Sequence, residues 1–119
     1  MDVAAEIRAA FDGYEAALME NDVAALVGYF RADADVIRMM NDAGLYGIES
    51  IAGFRKGRDA SDIARDLTRV EIRVLSADIG VATAEYTRRG SGKRGAQTQV
   101  WQRTADGWRI AAAHVSLGG

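Results

Sequence analysis

Residues 108–116 read WRIAAAHVS, and how this stretch is covered decides the fold. One arginine, one histidine and one serine stand among apolar residues, a pattern that predicts a strand. Alternation places Trp108, Ile110, Ala112, His114 and Ser116 on one face and Arg109, Ala111, Ala113 and Val115 on the other. A strand that is apolar on both sides needs both sides covered. The imidazole of His114, the only histidine of the chain, then needs partners, because an unpaired buried polar group is costly. Those partners are either other side chains or a ligand.

Working outward from this strand, the second half of the chain is a series of alternating segments. LTRVEIRVLSAD (67–78), GVATAEYTRR (80–89) and AQTQVWQRT (96–104) are separated by short glycine-containing turns. The first half is different. Ile7, Phe11, Tyr14 and Leu18 recur at helical spacing, and Asn21 or Asp22 can cap a second short helix through Leu26 and Phe30. DVIRMM (35–40) reads as a strand, NDAG as a turn and SIAGFRKGRD (50–59) as a third helix. In that helix Ser50 is the expected N-cap, and Ile51 and Phe54 face inward. Helices followed by strands predict an α+β fold with helices covering one face of a strongly curved antiparallel sheet. The opposite face, carrying Ala111, Ala113 and Val115, is expected to be closed by a homodimer through the sheet.

A turn centred on Ala105 and Asp106 pairs Arg103 with Trp108, Trp101 with Ile110, Gln99 with Ala112 and Gln97 with His114. A turn centred on Ser91 and Gly92 brings Tyr86 beside Gln97. His114, Gln97, Gln99, Tyr86, Trp101 and Ser116 thus converge on one concave face, as polar groups do in small-molecule pockets.

Composition narrows the chemistry. A chain of 119 residues suits one domain, residues 1–119, with a core of its own. Without cysteine there is neither a disulfide nor a thiol nucleophile. One histidine leaves no basis for a histidine-rich metal site, so no metal or cofactor is expected. A net charge of −2 argues against a broad nucleic-acid surface. The acidic N-terminal stretch is neither a leader nor a membrane span. The expectation is a soluble cytoplasmic protein.

Three kinds of residue stand out. Tyr14 lies on the apolar stripe of the first helix, as a core tyrosine or as a phenol aimed at a ligand. Arg38 shares a strand face with Val36 and Met40. It either snorkels to water or captures a carboxylate with its planar fork. Arg55 and Arg58 on the third helix read as a solvated face, or as a positive rim that attracts an anionic substrate. His114 is a satisfied core residue or a group that orients ligand or water. Ser116 lies about 6–7 Å along the strand from it, too far for an activated nucleophile. GSGKRG (90–95) is a hairpin turn, and Asp33 and Asp35 are solvated.

In this order and spacing, YEAAL (14–18), ND (21–22), LVGYF (26–30), VIRMM (36–40), LYGIESIAGFRKGRD (45–59) and WRIAAAHVS resemble the AtzH-like family (DUF3225) of the nuclear transport factor 2-like (NTF2-like, SnoaL-like) superfamily. The similarity runs from about Phe11 to Ser116. It implies a cone-shaped α+β fold, usually dimeric, with a pocket between sheet and helices. It further implies hydrolysis of carboxylated ureas, such as 1,3-dicarboxyurea to allophanate, in nitrogen-compound catabolism alongside an amidase partner. Tyr14 and Arg38 fall on the family's proposed catalytic pair. The family's third long strand opens with a Gly-Arg pair, where this chain has Gly95-Ala96; substrate holding is expected to differ accordingly.

Three functions follow as expectations. In an amidohydrolase, Arg38 anchors a carboxylate, Tyr14 assists proton transfer or polarises the carbonyl, and His114 and Gln99 position substrate or water. An isomerase or dehydratase would need a carboxylate base. A non-catalytic ligand-binding or amidase-accessory dimer needs only the pocket.

Overall fold

The computed structural model describes residues 2–118. Helix α1 spans Val3–Glu20. Asp2 caps it by accepting from the Ala5 amide at 2.7 Å, and Ile7, Phe11, Tyr14 and Leu18 form its buried stripe as expected. The helix ends at Asn21, whose φ of 50° turns the chain left-handed, a conformation that asparagine tolerates. Asp22 then caps α2, Val23–Gly28.

A short hairpin follows, β1 (Ile37–Met39) and β2 (Gly44–Tyr46), and then α3, Ile48–Gly57. The expected Ser50 cap lies inside the first turn of α3. Gly47 holds the cap position, with φ 87° and no side-chain bond, a backbone conformation that suits glycine. Four long strands complete the chain: β3 (Arg65–Val74), β4 (Ile79–Arg88), β5 (Arg94–Thr104) and β6 (Gly107–Leu117). Among the described residues no helix is long and apolar enough to cross a membrane.

The six strands form one open sheet in the order β2-β1-β6-β5-β4-β3. Neighbours are antiparallel with one exception: β1 runs parallel to β6, so the sheet is mixed where a purely antiparallel one was expected. The cause lies upstream. Phe30 forms a parallel bridge with Ile110, clamped by the Ile110 amide donating to the Tyr29 carbonyl at 2.7 Å and the Arg31 amide donating to the Ile110 carbonyl at 3.0 Å. The chain leaving α2 therefore runs in the same sense as β6.

Two bulges bend the sheet, at Thr68 in β3 and at Ala111 in β6. The second reverses the alternation expected for WRIAAAHVS. Arg103 pairs with Trp108 and Trp101 with Ile110, as the turn predicts. Beyond Ala111, however, Gln99 pairs with Ala113 and Gln97 with Val115. One extra residue moves every later side chain to the opposite face. Ala113 and Val115 thus share the inner face with the glutamines, and His114 goes to the outer face. The β4–β5 register also differs from expectation by two residues, setting Tyr86 opposite Gly95 and Ala84 opposite Gln97.

Helices α1 and α3 cover the inner face. Between helices and sheet lies a core of Ile7, Phe11, Leu18, Leu26, Phe30, Val36, Ile51, Trp101, Trp108 and Ile110, together with Ala82 and Ala84.

Candidate functional site

Above this core the curved sheet and the two helices leave a cavity of about 260 Å³. Tyr14 and Leu18 reach it from α1, Arg38 from β1, and Phe54, Arg55 and Arg58 from α3. The sheet contributes Arg65, Tyr86, Arg88, Gln97 and Val115. Five arginines face one small space, and among the described lining residues Asp42 is the only acid.

Two of the five have acidic partners. Arg65 is buried in an ion pair with Glu15; its Nε donates to Glu15 Oε2 at 3.2 Å, and its NH2 also donates to Gln97 Oε1 at 2.8 Å. Gln97 Nε2 closes the network by donating to Glu15 at 3.1 Å. The Arg65 guanidinium lies 4.2 Å from the centroid of the Tyr86 ring, a cation–π contact. Arg88 is 3.8 Å from Asp62.

Among the described residues Arg38 and Arg55 have no acidic partner. Arg38 is 7% exposed, and its buried NH1 has no hydrogen-bond partner. Arg55 is 1% exposed, with Nε and NH1 likewise unpartnered. Its NH2 donates to the Tyr14 hydroxyl at 2.5 Å. The ring of Phe54 stands between Arg38 and Arg58, 5.0 and 5.5 Å from their guanidinium carbons. Burial, followed by the charges of Arg55 and Arg58, pulls the pKa of Arg38 down to about 10. Burial, with Arg55 and Arg88 nearby, does the same to Arg58. Both remain cations at neutral pH, so the cavity brings together mutually repelling charges that desolvation makes costly. A small anion with several acceptor oxygens relieves both the repulsion and the orphaned donors.

Of the residues singled out from sequence, the structure brings Tyr14, Arg38, Arg55, Arg58, Tyr86 and Gln97 together around this cavity. Ser116 joins its edge through the backbone, where its carbonyl accepts from the Tyr86 hydroxyl at 3.1 Å. Gln99 and Trp101 are buried in the core beneath it, with the indole N–H donating to Gln99 Oε1 at 3.1 Å. His114 is exposed, paired with Thr98 on the outer face, and the expectation that it lines the pocket floor is corrected by the Ala111 bulge. The reading of Arg55 as a solvated side chain is also corrected. It lies one turn after the fully buried Ile51 and shares its inward face. Ala96 is exposed on the outer face opposite Glu85 and Ser116, so a side chain there does not line this chain's own cavity.

Sequence reasoning missed Glu15, Arg65 and Arg88. Glu15 was legible, lying four residues after Phe11 and three before Leu18. Arg65 was legible as the inward step preceding Leu67.

Comparison with known proteins places this arrangement. The AtzH-like family model matches residues 1–119. Among solved structures, a protein of unknown function from the DUF3225 family of Pectobacterium atrosepticum is 44% identical with a TM-score of 0.92, the match covering 98% of this chain and 91% of that one. A cystatin-like fold protein from Burkholderia xenovorans is 34% identical with a TM-score of 0.88, over 96% of this chain and 90% of that one. An NTF2-like superfamily protein from Salmonella enterica is 21% identical with a TM-score of 0.76, over 98% and 92% of the two chains, and shows the fold alone. No curated protein matches the chain.

Proposed function

The chain belongs to the AtzH-like family, and from that premise we propose that its cavity is the active site of a small-molecule amidohydrolase acting on a carboxylated urea such as 1,3-dicarboxyurea. The observation that carries this reading is the pair of buried guanidiniums, Arg38 and Arg55, with unpartnered nitrogens around one small cavity. A buried cation without an acid calls for an anionic ligand. Planar forks match carboxylates better than they match neutral groups.

In this reading Arg38 anchors one carboxylate against the Phe54 ring. The Tyr14 hydroxyl, its oxygen already accepting from Arg55, directs its own hydrogen to the substrate. Water adds to a terminal carboxyl carbon, the C–N bond breaks and the carbon departs as bicarbonate. A proton delivered through Tyr14 completes the urea nitrogen, and both nitrogens stay in allophanate. Negative charge developing on the carboxyl oxygens meets cations already in place, which stabilises the transition state without reorganisation. The products to measure are therefore allophanate and bicarbonate.

The reading carries with it a cytoplasmic homodimer joined through the outer sheet face and an amidase as a partner protein. In such a dimer His114 would lie between copies, and sedimentation velocity of H114A and wild type tests that placement.

One observation favours a second reading. Asp42 is the one acid among the described lining residues, and the buried carboxylate of Glu15 is engaged by Arg65 and Gln97, which leaves Glu15 poorly placed as a base. A binding dimer without turnover needs no base. The decisive experiment incubates purified protein with 1,3-dicarboxyurea generated in place, with R38Q as control. Allophanate formed above background by wild type and lost in R38Q supports the hydrolase. Saturable binding without product supports the binding dimer.

A further inference from the structure

We propose that Arg55 is a positioning residue that sets the direction of the Tyr14 proton. The inference deepens the reading above, in which Tyr14 donates to the substrate, and it rests on that reading.

The Tyr14 ring is fixed by packing. Tyr29 and Phe30 meet it edge-on, with centroids 6.1 and 6.2 Å away, so only the hydroxyl hydrogen is free to turn. A guanidinium has donors and no acceptor. At 2.5 Å from Arg55 NH2, the phenol oxygen can only accept, and its hydrogen is excluded from that side. The directions left to it lead to the cavity that Tyr14 lines. Arg55 therefore occupies the accepting side of the hydroxyl and leaves its hydrogen to be given toward the cavity.

The cost of the arrangement points the same way. Among the described residues Arg55 has no acidic partner; it leaves two nitrogens unsatisfied and depresses the protonation of both Arg38 and Arg58. An apolar side chain at this buried position would avoid all three penalties. The hydrogen bond that Arg55 makes is the one to Tyr14.

A double-mutant cycle separates this role from general attraction of anions. Malonate, a small dicarboxylate, is titrated calorimetrically into wild type, Y14F, R55M and Y14F/R55M, with R55K as the conservative variant and thermal melts as folding controls. Removing Arg55 weakens malonate binding by about tenfold when Tyr14 is present but by no more than about threefold when it is Phe, because part of the effect passes through the hydroxyl. R55K, which keeps a charged donor, recovers part of the loss. Equal fold losses in both backgrounds would overturn the inference, since Arg55 would then act on the anion independently. If R55M does not fold, the same cycle is run with R55K, and equal losses again overturn it. Wild type that does not bind malonate removes the inference and the anion reading together. A coupled cycle in a protein that forms no allophanate leaves the inference standing and removes the hydrolase.

Discussion

Gln97 pairs across the sheet with Val115, and that one pairing decides which side chains the cavity holds. With Val115 opposite, Gln97 is free to join Glu15 and Arg65 inside the sheet. His114, one residue earlier, is turned to the outside.

The first prediction follows from that turn. H114A leaves malonate affinity within about twofold of wild type, the scatter expected of an exposed substitution remote from the site. Calorimetric titration of the two proteins checks it, and a tenfold loss would place the imidazole in the site after all.

The bulge also marks where sequence reading ran out. The Arg103–Trp108 and Trp101–Ile110 pairs follow from turn and alternation alone. The next pairs fail because Ala111, Ala112 and Ala113 are chemically alike, so nothing local says which of them is the extra residue. Arg55 failed for the opposite reason. Its position four residues after Ile51 marked it as inward, but its charge argued for water. Burial of a guanidinium depends on neighbours brought from α1 and β1, which a helical period does not show. Tyr14 was legible because its own stripe, Ile7, Phe11 and Leu18, surrounds it. The parallel β1–β6 pairing depends on where the chain leaves α2, and no residue type in VIRMM signals it.

The protonation of the cavity gives a pH prediction. Arg38 and Arg58 both lie well below an ordinary guanidinium, at about 10. A bound anion favours their charged forms, so affinity for malonate is flat across neutral pH and falls as pH rises through about 10. The stability of the ligand-free fold runs in the other direction. A cation whose folded pKa is depressed is disfavoured in the fold while charged. Between about 10 and the ordinary guanidinium range the unfolded chain binds more protons, so these two groups add stability as pH rises through that window. Titrations at stepped pH, with and without R38Q, read the first effect. The affinity of R38Q should lose its pH dependence in part, since Arg58 remains.

Gly95 is a second place where a single atom matters. The Tyr86 ring crosses it to reach the Ser116 carbonyl. A Cβ at position 95 would overlap the Tyr86 ring end and lie 2.6 Å from the Ser116 carbonyl oxygen. The ring is buried and held under Arg65, and the carbonyl belongs to the sheet backbone, so neither yields cheaply. G95A is expected to cost about 1–3 kcal/mol, as overpacking does. It should also weaken anion binding, because Tyr86 lines the cavity. Urea unfolding measures the first effect and malonate titration the second; unchanged stability would mean that the ring moves aside freely.

The last prediction concerns the one cavity arginine that has a buried acid. Arg65 and Glu15 are both buried, and their pair is completed by Gln97. Removing Glu15 leaves an uncompensated cation beside Arg38, Arg55 and Arg58, and single loss of a buried ion-pair partner costs about 3–5 kcal/mol. E15M should therefore be strongly destabilised in ligand-free protein. R65M strands the carboxylate instead and should be destabilised to a similar degree. The double variant E15M/R65M removes both charges at once and should be more stable than either single variant. Malonate should rescue E15M more than wild type, because the freed Arg65 fork is a further cation for the anion. Chemical denaturation of the four proteins with and without malonate gives the comparison. Losses that add in the double variant would show that the pair is not a unit.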